Sequence, residues 1–318
     1  MTLQELDAAG VTEPELRAAY EYCRRLNARH GKTYFLATRL LSPSQRPAIH
    51  ALYGFARRLD DIVDEPAPGA TPATIAAELD EAGERLFAGL AEGASGDPLL
   101  AAVIDTATRF RIPADLFADF LRSMRMDLTT TGYPTRAALD VYVRGSAEVI
   151  GLQVLPVLGT VRGAADEAAP RAAALGKAFQ LTNFLRDIAE DFERGRVYLP
   201  ADELAAFDVD EELLGWCVRK RQVEPRVRRA LADQIALTRA VYRRARPGVE
   251  LLHPASRPCV STALTLYGEI LDRIEESGYN VFDHRATVPR PRKLAVAASA
   301  AARTMWARRR NPGPAAVG

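Results

Sequence analysis

Cysteine, histidine and aromatic residues are all scarce in this chain of 318 residues, which contains 3 Cys, 4 His and 7% aromatic side chains. Cys23, Cys217 and Cys259 lie far apart and form no C-x-x-C pair. They therefore indicate neither a disulfide framework nor a thiolate zinc site. The sequence predicts a protein of a reducing compartment, the cytoplasm.

An excess of one charge sign is also lacking, because 42 Lys and Arg stand against 41 Asp and Glu, for a formal net charge of +1. This balance argues against a general affinity for nucleic acid, and we expect no nucleic-acid partner. The first residues include acids where a secretory signal needs basic and then apolar residues. The most apolar run, 149–161, is broken by Gln153 and Pro156 and is shorter than the ~20 residues that span a bilayer. The sequence thus predicts neither a signal peptide nor a transmembrane segment.

Strand signals are missing as well, whereas apolar residues recur at helical spacing along almost the whole chain. Thr12 and Glu15 match a capping box, Pro14 follows in the first turn, and Gly31 ends the pattern, which predicts a helix over 13–30. Further helices are predicted to begin near residues 47, 71, 97, 113 and 135, and to cover 136–160, 168–194, 209–220, 225–246, 255–277 and 290–310. Since no long linker divides the chain, we expect a single all-α domain over residues 1–310 and a disordered tail over 311–318.

The first of two acidic segments covers residues 53–65. It places Asp60 and Asp64 one helical turn apart on a shared face, with Arg57 three residues before Asp60. Like charges at this spacing repel by only ~0.2–0.5 kcal/mol on an exposed face. Taken alone, the segment fits a charged outer face as well as it fits a binding site.

The second acidic segment, 180–200, places Asn183, Asp187 and Asp191 at intervals of four, so their oxygens form a stripe along one side of a helix. Apolar side chains flank this stripe, among them Phe184 and Leu185. Burying a row of carboxylates without counter-charge would cost several kcal/mol, which a cation would offset. The segment therefore predicts a cation site.

The donor set limits which cation fits. Oxygen ligands without cysteine or clustered histidine select magnesium or calcium over zinc. Magnesium is typically held by one or two carboxylates together with substrate phosphates, so two separate carboxylate pairs favour a magnesium–diphosphate cluster over a closed calcium cage. Five arginines near these acids would help to neutralise the diphosphate: Arg57, Arg58, Arg186, Arg194 and Arg196. The alternative for each arginine is an ordinary ion pair with a neighbouring acid.

Five blocks of this sequence, 30–41, 48–65, 145–153, 176–200 and 279–285, occur in an order that is typical of one family. On these blocks the chain resembles the squalene/phytoene synthase family of head-to-head prenyl-diphosphate condensing enzymes, and most closely its bacterial phytoene synthases, over about residues 17–290. The resemblance implies an isoprenoid-synthase helical bundle in which two aspartate helices face each other across a central apolar cavity.

The resemblance also assigns roles to residues. It implies catalytic roles for Tyr53 and the four aspartates, and binding of magnesium, with manganese as an alternative ion, by Asp60, Asp64, Asn183, Asp187 and Asp191. Substrate-binding residues by the same resemblance are His30, Tyr34, Arg57, Gln180, Asn183, Arg186, Tyr198 and Arg285. Arg144 departs from the pattern because many relatives carry an aromatic residue there, so its role depends on whether it faces the cavity.

The implied reaction joins two geranylgeranyl diphosphates through a cyclopropyl diphosphate to phytoene, with release of diphosphate, as in carotenoid biosynthesis. NADPH is not expected for this reaction. One alternative is a squalene or dehydrosqualene synthase that uses farnesyl diphosphate, and another is a non-catalytic lipid-binding or assembly protein on the same fold. Both aspartate motifs are complete, which favours an enzyme. The sequence does not indicate an oligomeric state.

The C-terminal segment contains no acid from His284 onward but eight basic residues, beginning with Arg285. Apolar residues such as Leu294 and Trp306 are interleaved with them. This pattern predicts peripheral contact with an anionic membrane, at its inner face, and a solvated basic tail is the alternative.

Overall fold

The computed structural model describes residues 3–310. The chain is 73% helical. Within this range there is no β-strand, only two isolated bridges, Gly132 with Val197 and Thr160 with Leu252. The predicted all-α class is therefore confirmed. The tail predicted over 311–318 lies outside the described residues.

The first half of the chain forms seven helices: α1 (Leu3–Ala8), α2 (Pro14–His30), α3 (Lys32–Thr38), α4 (Arg46–Asp64), α5 (Pro72–Glu92), α6 (Pro98–Phe110) and α7 (Ala114–Met126). Their starts follow the local chemistry, since α5 begins with a capping box between Thr71 and Thr74, and Asp97 accepts hydrogen bonds from the first amides of α6. The capping box predicted at Thr12 is wrong. Glu13 is the N-cap residue of α2, its backbone is extended, and it makes no side-chain capping bond.

The second half begins with α8 (Arg136–Val143), a π-helical turn (Arg144–Glu148) and α9 (Val149–Leu158). It continues through α10 (Ala165–Glu193), α11 (Ala201–Ala205), α12 (Glu211–Lys220), α13 (Pro225–Ala245), α14 (Gly248–Leu251), α15 (Arg257–Glu276) and α16 (Arg290–Arg310). These bounds agree with the predicted segments for α12, α13, α15 and α16 to within two residues.

Two hydrophobic cores organise the bundle. The first joins α2, α4, α6 and α7 around residues such as Phe55 and Phe117, and the second joins α10, α13 and α15 around residues such as Leu185 and Leu231. The π-helical turn and α9 lie between them, because Val149 packs in the first core whereas Ala147 packs in the second. The two acidic segments, on α4 and α10, thus belong to different cores that meet along α9.

Backbone contact fixes the position of α10 against α9 and the π-helical turn. A Cβ atom on Gly151 would lie 2.3 Å from the carbonyl oxygen of Ala172, and one on Gly176 would lie 2.3 Å from that of Ala147. Both distances are far below van der Waals contact, so only glycine allows this approach.

The continuous helical run Arg136–Leu158 is long and apolar enough to cross a membrane by length and composition alone. Half of its most apolar window is buried inside the bundle. Leu139, Val143 and Val149 on this run are completely buried, which is how the central helix of a packed bundle behaves.

Candidate active site

Helix α4 presents the first acidic segment. Ala51, Leu52, Phe55 and Leu59 bury one face of the helix in the first core, which turns Tyr53, Arg57, Asp60 and Asp64 away from that core. The Asp60 side chain is accessible to water, but protein surrounds it closely. Desolvation by this burial is the main cause that raises the pKa of Asp60 to about 7, and the charge of Asp64 adds to the effect. A carboxyl that is both water-accessible and surrounded by protein lies in a concave site.

Helix α10 presents the second acidic segment. Leu181, Phe184, Leu185 and Ile188 are buried in the second core, so the stripe of Asn183, Asp187 and Asp191 lies beside them and is only partly buried. The Asn183 Oδ1 atom is buried and accepts no hydrogen bond from the described residues. A buried carbonyl oxygen without a donor is suited to a cation or a substrate group.

Asp187 is held by two arginines. Its Oδ1 accepts hydrogen bonds from Arg186 Nε at 2.8 Å and Arg285 Nε at 2.8 Å, and its Oδ2 accepts from Arg186 Nη2 at 2.6 Å and Arg285 Nη2 at 2.9 Å. Burial alone would raise the pKa of Asp187, but the two guanidinium groups outweigh it and hold that pKa below its usual value.

Asp191 has no such partner, and no basic side chain among the described residues comes within ion-pair distance of its carboxylate. Burial, and then the charge of Asp187, raise the pKa of Asp191 to about 7. The four aspartates therefore divide into two kinds. Asp60 and Asp191 carry raised pKa values, whereas Asp64 and Asp187 are paired with arginines.

The two acidic segments converge in space. Asp64, at the end of α4, forms ion pairs with Arg196 at 2.9 Å and Arg194 at 3.5 Å, and both arginines directly follow α10. The charge of Asp64 also contributes to the raised pKa of Asp191. Residues that are 132 positions apart in sequence are thus brought together at one site, as the resemblance implied.

Aromatic rings line the region next to these acids. Tyr34 on α3 lies 5.5 Å from Tyr267 and 6.3 Å from Tyr53 between ring centroids, and Phe179 stacks on Tyr267 at 4.4 Å. The group connects α3, α4, α10 and α15. Its rings offer electron-rich faces beside a charged site, which is the environment that a carbocation requires.

A second aromatic group surrounds Asp127, a residue that the sequence patterns did not single out. Tyr142 donates a hydrogen bond to Asp127 Oδ2 at 2.8 Å, and Tyr198 donates to Oδ1 at 3.3 Å. Burial raises the pKa of Asp127 to about 6, although the hydrogen bond from Tyr142 opposes this rise. Tyr198 also stacks on Phe184 at 4.1 Å, and a small pocket between these rings is lined by Asp191 and Arg196 as well. Asp127 therefore lies beside both acidic segments.

The remaining predicted residues are distributed as follows. His30 is exposed at the end of α2, next to Gly31, where a Cβ atom would lie 2.7 Å from the Tyr53 ring. Gln180 is partly buried on α10, one residue after Phe179. Arg57 does not pair with Asp60 or Asp64, because its Nη2 contacts Asp61 and lies 3.0 Å from Glu65.

Arg144 pairs with acids that belong to neither acidic segment. It is 44% exposed and lies 3.7 Å from both Asp119 and Glu148 in ion-pair contacts. Its ion-pair partners therefore include none of the four aspartates.

The donor chemistry of the site fits magnesium. Among residues 3–310, no group of three or more His, Cys, Asp or Glu side chains is close enough to hold a metal ion by protein ligands alone. Magnesium commonly takes only one or two carboxylates and completes its coordination with water and phosphate oxygens. Two carboxylates on α4, two on α10 and the unsatisfied oxygen of Asn183 match that requirement.

Comparisons with known proteins agree with this arrangement. The family model described as squalene/phytoene synthase matches residues 27–292. The chain is 38% identical over 289 residues to a phytoene synthase from Arthrospira platensis, covering 87% of this chain and 90% of that one. It is 39% identical to a 15-cis-phytoene synthase from Synechocystis sp., covering 87% and 82% of the two chains.

Solved structures extend the likeness to three dimensions. The fold is similar to that of a dehydrosqualene synthase, with a TM-score of 0.81 at 25% identity over 92% of this chain and 98% of that one. It is also similar to a squalene synthase from Alicyclobacillus acidocaldarius, with a TM-score of 0.76 at 28% identity over 86% and 99% of the two chains. The predicted isoprenoid-synthase bundle is thereby confirmed, and the chain belongs to the squalene/phytoene synthase family.

Proposed function

We propose that this protein is a phytoene synthase, which joins two geranylgeranyl diphosphates head to head through a cyclopropyl diphosphate and releases diphosphate. The observation that carries the proposal is the convergence of the two acidic segments, through Asp64 and Arg196, beside aromatic rings. Relatives named phytoene synthase, at 38–39% identity over 87% of the chain, support the choice of reaction.

Magnesium, or manganese, held by Asp60, Asp64, Asp187 and Asp191 with the Asn183 oxygen, would supply positive charge to the departing diphosphate. Arg186 and Arg285 are oriented towards the same place, since both contact Asp187. Their planar guanidinium groups bind phosphate oxygens with two parallel hydrogen bonds. Charge arranged in advance around a leaving anion is usually the largest contribution to catalysis.

The aromatic groups would protect and stabilise the cations that form on the substrate after diphosphate leaves. Each ring face contributes about 0.5–2 kcal/mol towards a nearby cation. Tyr34, Tyr53, Phe179 and Tyr267 form a connected wall of this kind. By excluding water, the same wall prevents quenching of the cation to an alcohol.

Product analysis tests the proposal directly. Purified protein is incubated with geranylgeranyl or farnesyl diphosphate, each with and without NADPH, and the hydrocarbon is identified. We expect phytoene from geranylgeranyl diphosphate without NADPH. Squalene or dehydrosqualene from farnesyl diphosphate would instead support the alternative reaction, which the likeness to dehydrosqualene and squalene synthase structures favours. Five carbons per chain are worth at most ~4 kcal/mol of binding, so both substrates are tested at low concentration.

The metal-binding role is tested by Asp60→Asn and Asp187→Asn. Each variant keeps the size of the side chain but removes the charge that a divalent ion requires. We expect each to abolish turnover while the helical circular-dichroism spectrum is retained. Normal turnover in either variant would exclude that aspartate from the metal site, and a folded but inactive wild type would favour the non-catalytic lipid-binding alternative.

We further propose a cytoplasmic protein that touches an anionic membrane through its C-terminal segment. Leu294 is 62% exposed on α16, as an anchoring side chain would be, whereas Arg292 is paired with Glu269 at 2.5 Å and offers less free charge than expected. Basic residues near an anionic surface contribute ~1 kcal/mol each. We therefore expect binding to phosphatidylserine liposomes that weakens with added salt, and sedimentation that is absent or independent of salt would refute the electrostatic contact.

A further inference from the structure

The arginines divide unevenly among the four aspartates of the site. Asp187 on α10 receives four N–H donors, two from Arg186 and two from Arg285. An ionised carboxylate has about four lone-pair positions. The hydrogen-bonding capacity of Asp187 is therefore filled, and a metal ion cannot bind to it unless at least one arginine bond is broken.

Asp64 on α4 is also contacted by two arginines, each through one nitrogen. Arg196 Nη1 lies 2.9 Å from its Oδ1, and Arg194 Nη1 lies 3.5 Å from its Oδ2. Each acidic segment thus contains one aspartate that is covered by two arginines and one that is not. We call Asp64 and Asp187 the covered aspartates, and Asp60 and Asp191 the open aspartates.

The open aspartates lack basic partners within ion-pair distance among the described residues, although they lie in the same two helices. The difference follows from position. Asp64 is the last residue of α4 and faces the arginines that follow α10, while Asp187 faces the segment after α15 that carries Arg285. Arg194 and Arg285 are about half exposed, at 55% and 47%, so both side chains have room to move.

We propose that the covering arginines hold Asp64 and Asp187 until a diphosphate arrives, and that they then transfer to its oxygens and release both aspartates to a divalent ion. The inference rests on the proposed function, because it names how the same site takes its ligands. A metal ion alone meets one open and one covered aspartate in each segment. A metal ion that arrives with diphosphate meets two free aspartates in each, because the phosphate oxygens accept the arginines.

This exchange makes the site specific for the metal–diphosphate complex. Guanidinium groups bind carboxylate and phosphate with the same forked geometry, so the transfer replaces one set of charge-assisted hydrogen bonds by another. The aspartates exchange arginine for metal at the same time, and no charge is left without a partner. Free magnesium, which is abundant in cells, would not fill the site before the substrate binds.

Calorimetric titration of the variant Arg285→Gln tests the proposal. The change removes two of the four hydrogen bonds to Asp187. With Mn²⁺ alone, we expect the variant to bind the ion about tenfold more tightly than the wild type, because a competitor for Asp187 is gone. With preformed Mn²⁺–pyrophosphate, we expect the variant to bind about tenfold more weakly, because a phosphate partner is lost. Opposite changes in one variant are the signature of the exchange.

The matched control is Arg292→Gln. Arg292 grips Glu269 with the same forked geometry and similar exposure, 51% for the arginine and 13% for the carboxylate, against 47% and 14% for Arg285 and Asp187. The control should leave both affinities unchanged. Arg194→Gln removes one of the two arginines at Asp64 and leaves Arg196 in place, so it should strengthen binding of Mn²⁺ alone in the same direction as Arg285→Gln but by less.

Two results would overturn the exchange. One is an unchanged affinity of Arg285→Gln for Mn²⁺ alone, and the other is wild-type binding of Mn²⁺ alone as tight as binding of the complex. If the wild type bound neither ligand, the cation site of the proposed function would fail together with the exchange. If both titrations behaved as expected but no hydrocarbon formed, the proposed reaction alone would be wrong.

Discussion

His50 is a buried titratable residue, and the effect of its protonation on the free energy of unfolding can be calculated. It lies on α4, is 3% exposed, has its Nδ1 2.9 Å from Asn27 Nδ2, and stacks on Phe35 at 5.6 Å between ring centroids. Burial is the main cause that lowers its pKa from 6.5 to about 4. The neutral ring supports α3, the helix that carries Tyr34 to the site. Replacing His50 by Gln removes the titration and keeps a polar side chain next to Asn27.

The sign and size of the effect follow from linkage. Because the folded pKa lies below the unfolded one, the unfolded chain takes up the proton first, and the contribution to stability is present above pH 6.5 and is lost as the pH falls towards 4. One pKa unit corresponds to about 1.4 kcal/mol, so the complete loss is about 3 kcal/mol. Between about pH 7.5 and about pH 5.5, the loss is about 1 kcal/mol.

Urea denaturation of the wild type and of His50→Gln at these two pH values measures the difference. The wild type should lose about 1 kcal/mol more than the variant, whatever constant cost the substitution carries. His284→Gln, at a side chain that is 85% exposed, serves as the control and should follow the wild type. Equal losses in the wild type and in His50→Gln would show that the folded protein does not hold His50 neutral, and would refute the reasoning.

Two further substitutions test the packing and the second aromatic group. Gly176→Ala should lower the free energy of unfolding, measured by thermal denaturation, by about 1–3 kcal/mol, because the new Cβ would lie 2.3 Å from the Ala147 carbonyl oxygen. Gly268→Ala is the control and should not destabilise, because a Cβ there would meet no atom within 4 Å outside its own helix. Asp127→Asn should keep the circular-dichroism spectrum but lower kcat by about 10- to 100-fold, because the Tyr142 hydroxyl loses its charged acceptor; unaltered kcat would exclude a positioning role.

Most of the fold was predictable because its signals are local. Proline in the first turn and capping side chains mark the starts of α5 and α6, and apolar periodicity marks the long helices. Short elements such as α3 and α14 contain too few residues to show a period. The π-helical turn at 144–148 was not predictable, because it arises from packing against α7 and α10 and not from the propensity of its residues.

The candidate site was predictable only in part, for a related reason. Spacing along a helix identifies which acids share a face, and so it identified Asp60 with Asp64 and Asp187 with Asp191. It does not identify partners on other elements, such as Arg196 for Asp64 or Arg285 for Asp187. Asp127 was missed because a single acid after an apolar helix has no spacing to interpret, and only its tyrosine neighbours reveal it.

The glycine contacts between α9 and α10 have a consequence for how the preferred chain length of the substrate can change in such a fold. The backbone of α10 contacts the backbone of its neighbours at Gly151 and Gly176. The position of α10 along its own axis therefore does not depend on the size of neighbouring side chains. Asp187 and Asp191 lie on that same rigid helix, beyond Gly176. Under the proposed function, larger or smaller residues deeper in the bundle can then lengthen or shorten the room for a prenyl chain without moving Asp187 and Asp191.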